Sequence, residues 1–233
     1  MKISDLKGLL KKSELIVESV ENPFDDYYVV RMNAAKGMSW RPGEHGIFTL
    51  PDFKIDGKKW RAFSLASIAD EGFLMIGTRT GESISGFKKQ LIGLKKGDKI
   101  GLRGPFGWFV LKDRTSPLVL IAGGVGITPV RSILKEIEKG NIRKVEIIYS
   151  SRERHLFEDD LKQIAGKDAR VHLHLTASRE ETRVKINEIA KQFKNNAYYY
   201  VLGNTKMIKE TKKTISGQGI DKKRIISDPF LGY

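Results

Sequence analysis

The sequence predicts two domains, an antiparallel β-barrel followed by an α/β domain with a parallel sheet. Three observations carry this. In the first half, short runs of β-branched and aromatic residues alternate with Gly, Pro, Asp and Lys clusters, the pattern of many short strands joined by turns. From Pro117 onward, apolar strands alternate with helical patterns, which implies parallel strands covered on both faces. The polar stretch Lys112–Ser116 separates the two rhythms and sets the expected boundary between residues 1–113 and 114–233. A chain of 233 residues with 40% apolar content has room for two small domains, each with its own core.

The barrel strands are expected at Leu15–Val20, Tyr27–Met32, Gly46–Leu50, Arg61–Ser67, Phe73–Thr78 and Lys99–Arg103. Asn22-Pro23 and Asp25-Asp26 punctuate the first pair as a turn. One helix, Ser85–Leu94, interrupts them, with Phe87, Leu91 and Leu94 at spacings of four and three. In the second half the strands are expected at Pro117–Ala122, Lys144–Tyr149, Val171–Thr176, Tyr198–Leu202 and Arg224–Ser227. The helices between them are expected at Val130–Glu138, Phe157–Ile164, Ile186–Phe193 and Met207–Ser216.

With no cysteine, the chain has no disulfide framework, no cysteine zinc site and no cysteine-held iron–sulfur cluster of its own. No export signal and no apolar run of membrane-spanning length is read, so the expectation is a cytoplasmic protein that is not an integral membrane protein. The formal charge of +14 attracts acidic partners. Lysine pairs such as Lys88-Lys89 and Lys212-Lys213 are not interleaved with aromatic residues, so no nucleic acid is expected. His45, His155, His172 and His174 form no convincing metal set, although His172 and His174 share one strand face.

Leu118–Pro129 reads LVLIAGGVGITP, a buried strand running into Gly123, Gly124 and Gly126 and then a helix near Thr128-Pro129. Pro suits a first helical turn. Glycines let the backbone turn sharply and let a phosphate approach the main chain, and the helix N-terminus favours anions. A nucleotide pyrophosphate is one guest for this loop; a tight turn in an ordinary α/β domain is the other reading. Upstream, Arg61-Ala62-Phe63-Ser64 ends a strand, Thr78, Arg79 and Gly81 close the next, and Ser83 and Ser85 precede the helix. Arginine offers a fork of donors for phosphate, Phe63 a flat face for a ring system, and Ser64 a hydroxyl near that ring. Read singly, these residues are also a strand arginine, a core Phe and a helix-capping serine.

Together and in order, these motifs resemble the ferredoxin–NADP⁺ reductase family. Arg61–Ser64 is similar to its R-x-[YF]-S motif, Gly81–Ser85 to its Gly…Ser segment, and Gly97-Asp98 with Gly104–Gly107 to its GD…GPFG junction. Ala122–Pro129 is similar to its AGG-x-G loop, Leu202–Met207 to its CG-x-x-x-M segment, and Ser227–Tyr233 to its acidic-x-aromatic tail. The resemblance implies an FAD-binding β-barrel domain and an NAD(P)-binding α/β domain, with hydride transfer between NAD(P)H and the flavin and onward passage of electrons. It implies that Arg61, Ala62, Phe63, Ser64, Thr78, Arg79, Gly81, Ser83 and Ser85 meet FAD. Gly123, Gly124, Gly126, Thr128, Ser178, Arg179 and Gly203 would meet the nicotinamide nucleotide, and Tyr233 would cover the flavin. Ser64 and Asp228 are the implied catalytic residues. Three departures stand out: Leu202 replaces the usual Cys, Phe63 a frequent Tyr, and Asp228 a frequent Glu.

Ser178-Arg179 stands where NADP⁺-preferring relatives carry a Ser-Arg pair, so NADP is expected ahead of NAD. An acidic electron carrier, ferredoxin or flavodoxin, is the expected partner. The alternatives are a flavin or ferric reductase that uses flavin as substrate, and the reductase subunit of a larger electron-transfer complex.

Overall fold

The computed structural model describes residues 8–140 and 142–229, and the chain divides between Val110 and Leu111 into two compact units. In the first unit the strands are β1 (Lys12–Phe24), β2 (Tyr27–Asn33), β3 (His45–Thr49), β4 (Trp60–Ser64), β5 (Phe73–Arg79) and β6 (Lys99–Phe106). They form one antiparallel sheet in the order β4-β3-β6-β1-β2-β5, and a bridge between Leu65 and Ile76 links its two ends. That closure leaves few unpaired strand edges. Alternate residues turn inward: Leu15 and Val17, Val30 and Met32, Leu74 and Ile76, Ile100 and Leu102 share one core. The helix α1 (Gly86–Gly93) seals this core with Phe87 and Leu91, both fully buried.

β1 runs well past the expected Leu15–Val20. It carries register shifts near Val17 and after Glu21, which let one long strand pair with β6 at its start and β2 at its end. Asn22-Pro23 lies inside this strand. The turn itself is Asp25-Asp26, held by the Asn22 amide, which donates to the carbonyls of Asp25 (3.0 Å) and Tyr27 (2.7 Å).

The second unit holds β7 (Leu118–Gly123), α2 (Ile127–Ile137), β8 (Val145–Ser150), α3 (Glu158–Lys167), β9 (Val171–Thr176) and α4 (Arg179–Phe193). Then come β10 (Tyr198–Gly203), α5 (Thr205–Gly217) and β11 (Ile225–Pro229). Its strands are all parallel, in the order β11-β10-β7-β8-β9. Ile186, Ile189 and Phe193 of α4 and Ile208 and Ile215 of α5 bury one face against Val119, Ile121, Tyr199 and Val201. The helix α4 begins at Arg179, two turns before the expected Ile186. Its first turns, Arg179–Lys185, are mostly exposed and show no apolar stripe. A capping box starts them, with Ser178 Oγ accepting from the Glu181 amide and Glu181 reaching back to the Ser178 amide.

The chain builds outward from β7 to β8 and β9, then returns to place β10 on the other side of β7. The strand order therefore reverses between β7 and β10. At such a switch point, the loops leaving the strand C-termini diverge and open a crevice for a ligand. Among the described residues no helix is long and apolar enough to cross a membrane.

Candidate functional site

In the first unit, residues from four elements meet around one cluster of charge. The β1–β2 turn supplies Asp26, β4 supplies Arg61, the end of β5 supplies Arg79, and α1 supplies Lys88. Asp26 accepts from Arg79 Nε at 2.9 and 2.7 Å and from the Gly81 amide at 2.8 Å. Lys88 Nζ donates to the Arg79 carbonyl at 2.6 Å, and Ser85 caps α1 by accepting from the Lys88 amide at 3.4 Å. Gly81 holds φ +70° with open space where a side chain would begin, a conformation that glycine adopts without strain. Burial lowers the Lys88 pKa to about 8, with Arg61 and Arg79 adding to the fall and Asp26 opposing it. Three cations and one carboxylate thus crowd together, an arrangement that an anionic group such as a pyrophosphate would relieve. By that measure the residues present fit the phosphate end of FAD.

Phe63 is 8% exposed, and its ring packs edge-on against Phe48 (5.7 Å) and beside Phe87 (6.2 Å) in the barrel core. The ring is therefore part of the barrel core, which sequence could not separate from an outward-facing ring. Ser64 lies directly across from His45 in the β3–β4 ladder, so the two side chains share a sheet face. His45 in turn meets Phe106 and Trp108 edge-on, and burial lowers its pKa to about 4, so the imidazole beside Ser64 is neutral. Thr78 is buried, and Ala62 is half-buried on β4. Ser83 is exposed in the loop before α1, and Arg61 donates from Nη1 to the carbonyls of Trp60 (3.0 Å) and Lys58 (3.5 Å).

In the second unit, the Gly-rich loop leaves β7 at the switch point and turns through Gly124, at φ +53°, into α2. Gly123 and Gly203 flank a single side chain. A methyl group at Gly123 would fall on Met207 Sδ, and one at Gly203 would stand 2.8 Å from the same sulfur. Gly126 abuts the Leu202 carbonyl, where a side chain would approach to 2.9 Å. These glycines thus let β7, β10 and the start of α5 close together at the strand ends, with Gly123 and Gly124 half-buried. Asn204 caps α5 by accepting from the Met207 amide at 2.9 Å, which fixes the methionine over both glycines. The Thr128 hydroxyl is buried and donates to the Val125 carbonyl at 2.7 Å. It therefore braces the loop from within.

Ser178 caps α4, and Arg179 follows it on the surface. Arg183 pairs with Glu180 at 2.6 Å, and Glu181 takes the Ala177 amide at 2.9 Å. Asp228 on β11 sits beside Leu202 of β10, and burial pushes its carboxyl up to about 6. Tyr233 lies outside the described residues. His172 and His174 both turn to Glu146, at 2.9 and 2.7 Å; burial works against that charge, and the imidazole hydrogen bonds hold the carboxyl below its ordinary range all the same. Sequence reasoning missed Asp26 and Lys88. The first read only as a turn residue and the second as half of a surface lysine pair; the alternation of α1, with Phe87 and Leu91 inward, was the available signal for a buried Lys88.

The family model for the oxidoreductase NAD-binding domain matches residues 120–213. The F component of the Na⁺-translocating NADH-quinone reductase of Colwellia maris is 30% identical over 146 residues, covering 57% of this chain and 48% of the relative. Its counterpart in Neisseria meningitidis serogroup C is 27% identical over 210 residues, covering 77% and 51%. The chain thus spans about half the length of the curated relatives it matches. Among solved structures, a ferredoxin NADP⁺ reductase from Neisseria gonorrhoeae with bound FAD and NADP superposes with TM-score 0.78 at 20% identity, covering 95% of this chain and 99% of that one. A cytochrome P450 reductase from Amycolatopsis gives TM-score 0.79 at 21% identity, covering 94% and 70%.

Proposed function

Because the chain has the ferredoxin–NADP⁺ reductase-like two-domain fold and carries an oxidoreductase NAD-binding domain, we propose that it is an NAD(P)H-dependent FAD oxidoreductase that passes electrons to a separate acceptor. The observation that carries this reading is the Gly123–Gly126 bend at the C-terminal ends of β7 and β10, where the parallel strand order reverses. The cation cluster at Arg61, Arg79 and Lys88 supports the flavin half of the reading.

FAD, when bound, supplies a ring that takes two electrons together and releases them singly. The protein's part is to bind, orient and control protons. Arg61 and Arg79 hold the pyrophosphate, with the Gly81–Ser85 loop beside it. Ser64 offers its hydroxyl to the ring edge, next to the neutral His45. The bend from Gly123 to Gly126 and the start of α2 receive the nicotinamide nucleotide's phosphates. Asp228, poised near pH 6, is a proton-holding group at the end of β11. The absent Cys at Leu202 leaves the nicotinamide end with packing alone on that strand.

For the nucleotide, Arg179 beside Ser178 supports NADPH, since a guanidinium reads a phosphate monoester well. A second reading, NADH, is favoured by Glu181, which already occupies the Ala177 and Ser178 amides, and by the relatives' designation as components of an NADH-quinone reductase. For the acceptor, the +14 charge supports an acidic carrier such as ferredoxin or flavodoxin. The same relatives favour, as the alternative, a component of a larger electron-transfer assembly. One experiment tests the core of the reading: the absorbance spectrum of purified protein supplied with FAD, followed by anaerobic addition of NADPH or NADH. Retained flavin that bleaches faster with NADPH is expected. Failure to retain flavin, or flavin that neither nucleotide bleaches, overturns the proposal.

A further inference from the structure

We propose that Lys88 is a third binding cation of the FAD pyrophosphate site, alongside Arg61 and Arg79, and that cofactor binding takes up a proton there at alkaline pH. The inference rests on the FAD reading above. Lys88 comes from the first turn of α1, yet it is only 8% exposed, unusual for a lysine, which normally keeps its ammonium in water. Its Nζ is pulled to the Arg79 carbonyl at 2.6 Å, so the ammonium is fixed at the junction of β5 and the Gly81–Ser85 loop. The neighbouring lysine, Lys89, is exposed, which shows that the helix turns Lys88 inward by its phase and does not bury lysines generally at this end.

The charged groups that act on Lys88 come from three other elements: Asp26 from the β1–β2 turn, Arg61 from β4 and Arg79 from β5. Asp26 is engaged by Arg79 Nε and by the Gly81 amide, so much of its charge serves those two donors. The sum is an excess of positive charge converging from β4, β5 and α1 on one place. On grounds of stability alone, such a lysine is a poor choice, because burial and two like charges all oppose its ammonium. A doubly charged diphosphate offsets the like-charge repulsion, because it adds counter-charge to a group of cations whose carboxylate, Asp26, already serves Arg79 and the Gly81 amide.

The sign of the proton linkage follows. Free of ligand, Lys88 loses its proton near pH 8. An anion beside it favours the ammonium, so its pKa is higher in the complex. Affinity is then full below pH 8 and declines as pH rises from there toward the pKa of the complex.

The test is equilibrium binding of FAD and of riboflavin, which has the ring and no phosphate, to flavin-free protein and to K88M. The expected result is FAD affinity about tenfold or more weaker in K88M, with riboflavin affinity unchanged. Titration calorimetry of the wild-type protein at pH 8.5, ~ half a unit above the lysine's ligand-free pKa, in two buffers of different ionisation enthalpy needs no variant. It should report net proton uptake for FAD and none for riboflavin, and K88R should bind FAD without that uptake. Equal FAD affinity in K88M and wild type, or no uptake in the wild type, overturns the role of Lys88. Absence of binding by either flavin to the wild type fails the broader FAD reading instead.

Discussion

A methyl group added at Gly123 would land on the sulfur of Met207, and the same sulfur lies against Gly203. One methionine therefore packs against two glycines, Gly123 and Gly203, that the family resemblance assigns to the nicotinamide nucleotide. G123A is expected to cost about 1–3 kcal/mol of stability through overpacking and to weaken NAD(P)H binding. Shortening the obstacle in G123A/M207A should recover part of that loss, so a double-mutant cycle of thermal stability should show clear coupling between the two sites. Additive effects would mean that Gly123 is needed for another reason. Asp228 makes a different kind of prediction. Its folded pKa is about 6, above the ordinary carboxyl value near 4, because burial disfavours the charge. Below pH 4 the carboxyl is protonated in both states and nothing is lost; above pH 6 it is ionised in both and the burial cost is complete. D228N should therefore raise stability at pH 8, by on the order of 3 kcal/mol, and leave it unchanged at pH 4. Denaturant titrations of both proteins at the two pH values check this. If the variant also loses NAD(P)H-driven flavin reduction at pH 8, the residue is retained at the expense of stability for its chemistry.

At the scale of elements, the helix α4 shows why some boundaries escape a periodicity argument. Arg179–Lys185 is mostly charged and mostly exposed, and the apolar stripe begins only at Ile186. The start is written in the cap: Ser178 with Glu181 three residues on, each satisfying the other's amide. S178A should lower the melting temperature by the equivalent of about 1 kcal/mol. It should do so without changing the NADPH-to-NADH ratio if the hydroxyl serves only the helix, and it should shift that ratio toward NADH if the same hydroxyl also reads the 2′-phosphate. The barrel strands were legible because β-branched and aromatic residues alternate through them, and the parallel sheet because its strands, led by the continuously apolar Leu118–Ala122, alternate with helical patterns. The inward or outward aim of a residue near a strand end was not. Phe63 and Ser64 are neighbours on β4 that point to opposite faces, and only closure of the barrel onto Phe48 and Phe87 decides which face is core. Likewise Thr128 falls in the first turn of α2, near where the helix was expected to open, and its hydroxyl turns to the Val125 carbonyl because that buried acceptor needs a donor.

For the molecule as a whole, the excess of +14 is unevenly spread. Many of the second unit's cations stand on α5 and just beyond it: Lys206, Lys209, Lys212, Lys213, Lys222, Lys223 and Arg224, against Glu210 and Asp221. A field of that size serves encounter with an acidic partner more than it serves folding, since like charges on one surface repel. If electrons leave to an acidic carrier, its reduction should slow as salt rises. The Debye length falls from about 10 Å at 0.1 M to about 3 Å at 1 M, so the attraction is progressively confined to direct contact. A neutral quinone offered as acceptor should show no such fall, because nothing in its approach depends on charge. The comparison separates steering from general effects of salt on the enzyme. A carrier rate that ignores ionic strength would mean that these lysines do not guide the acceptor. It would favour the alternative in which the chain works inside a stable assembly, where the partner is already held and encounter no longer limits the rate.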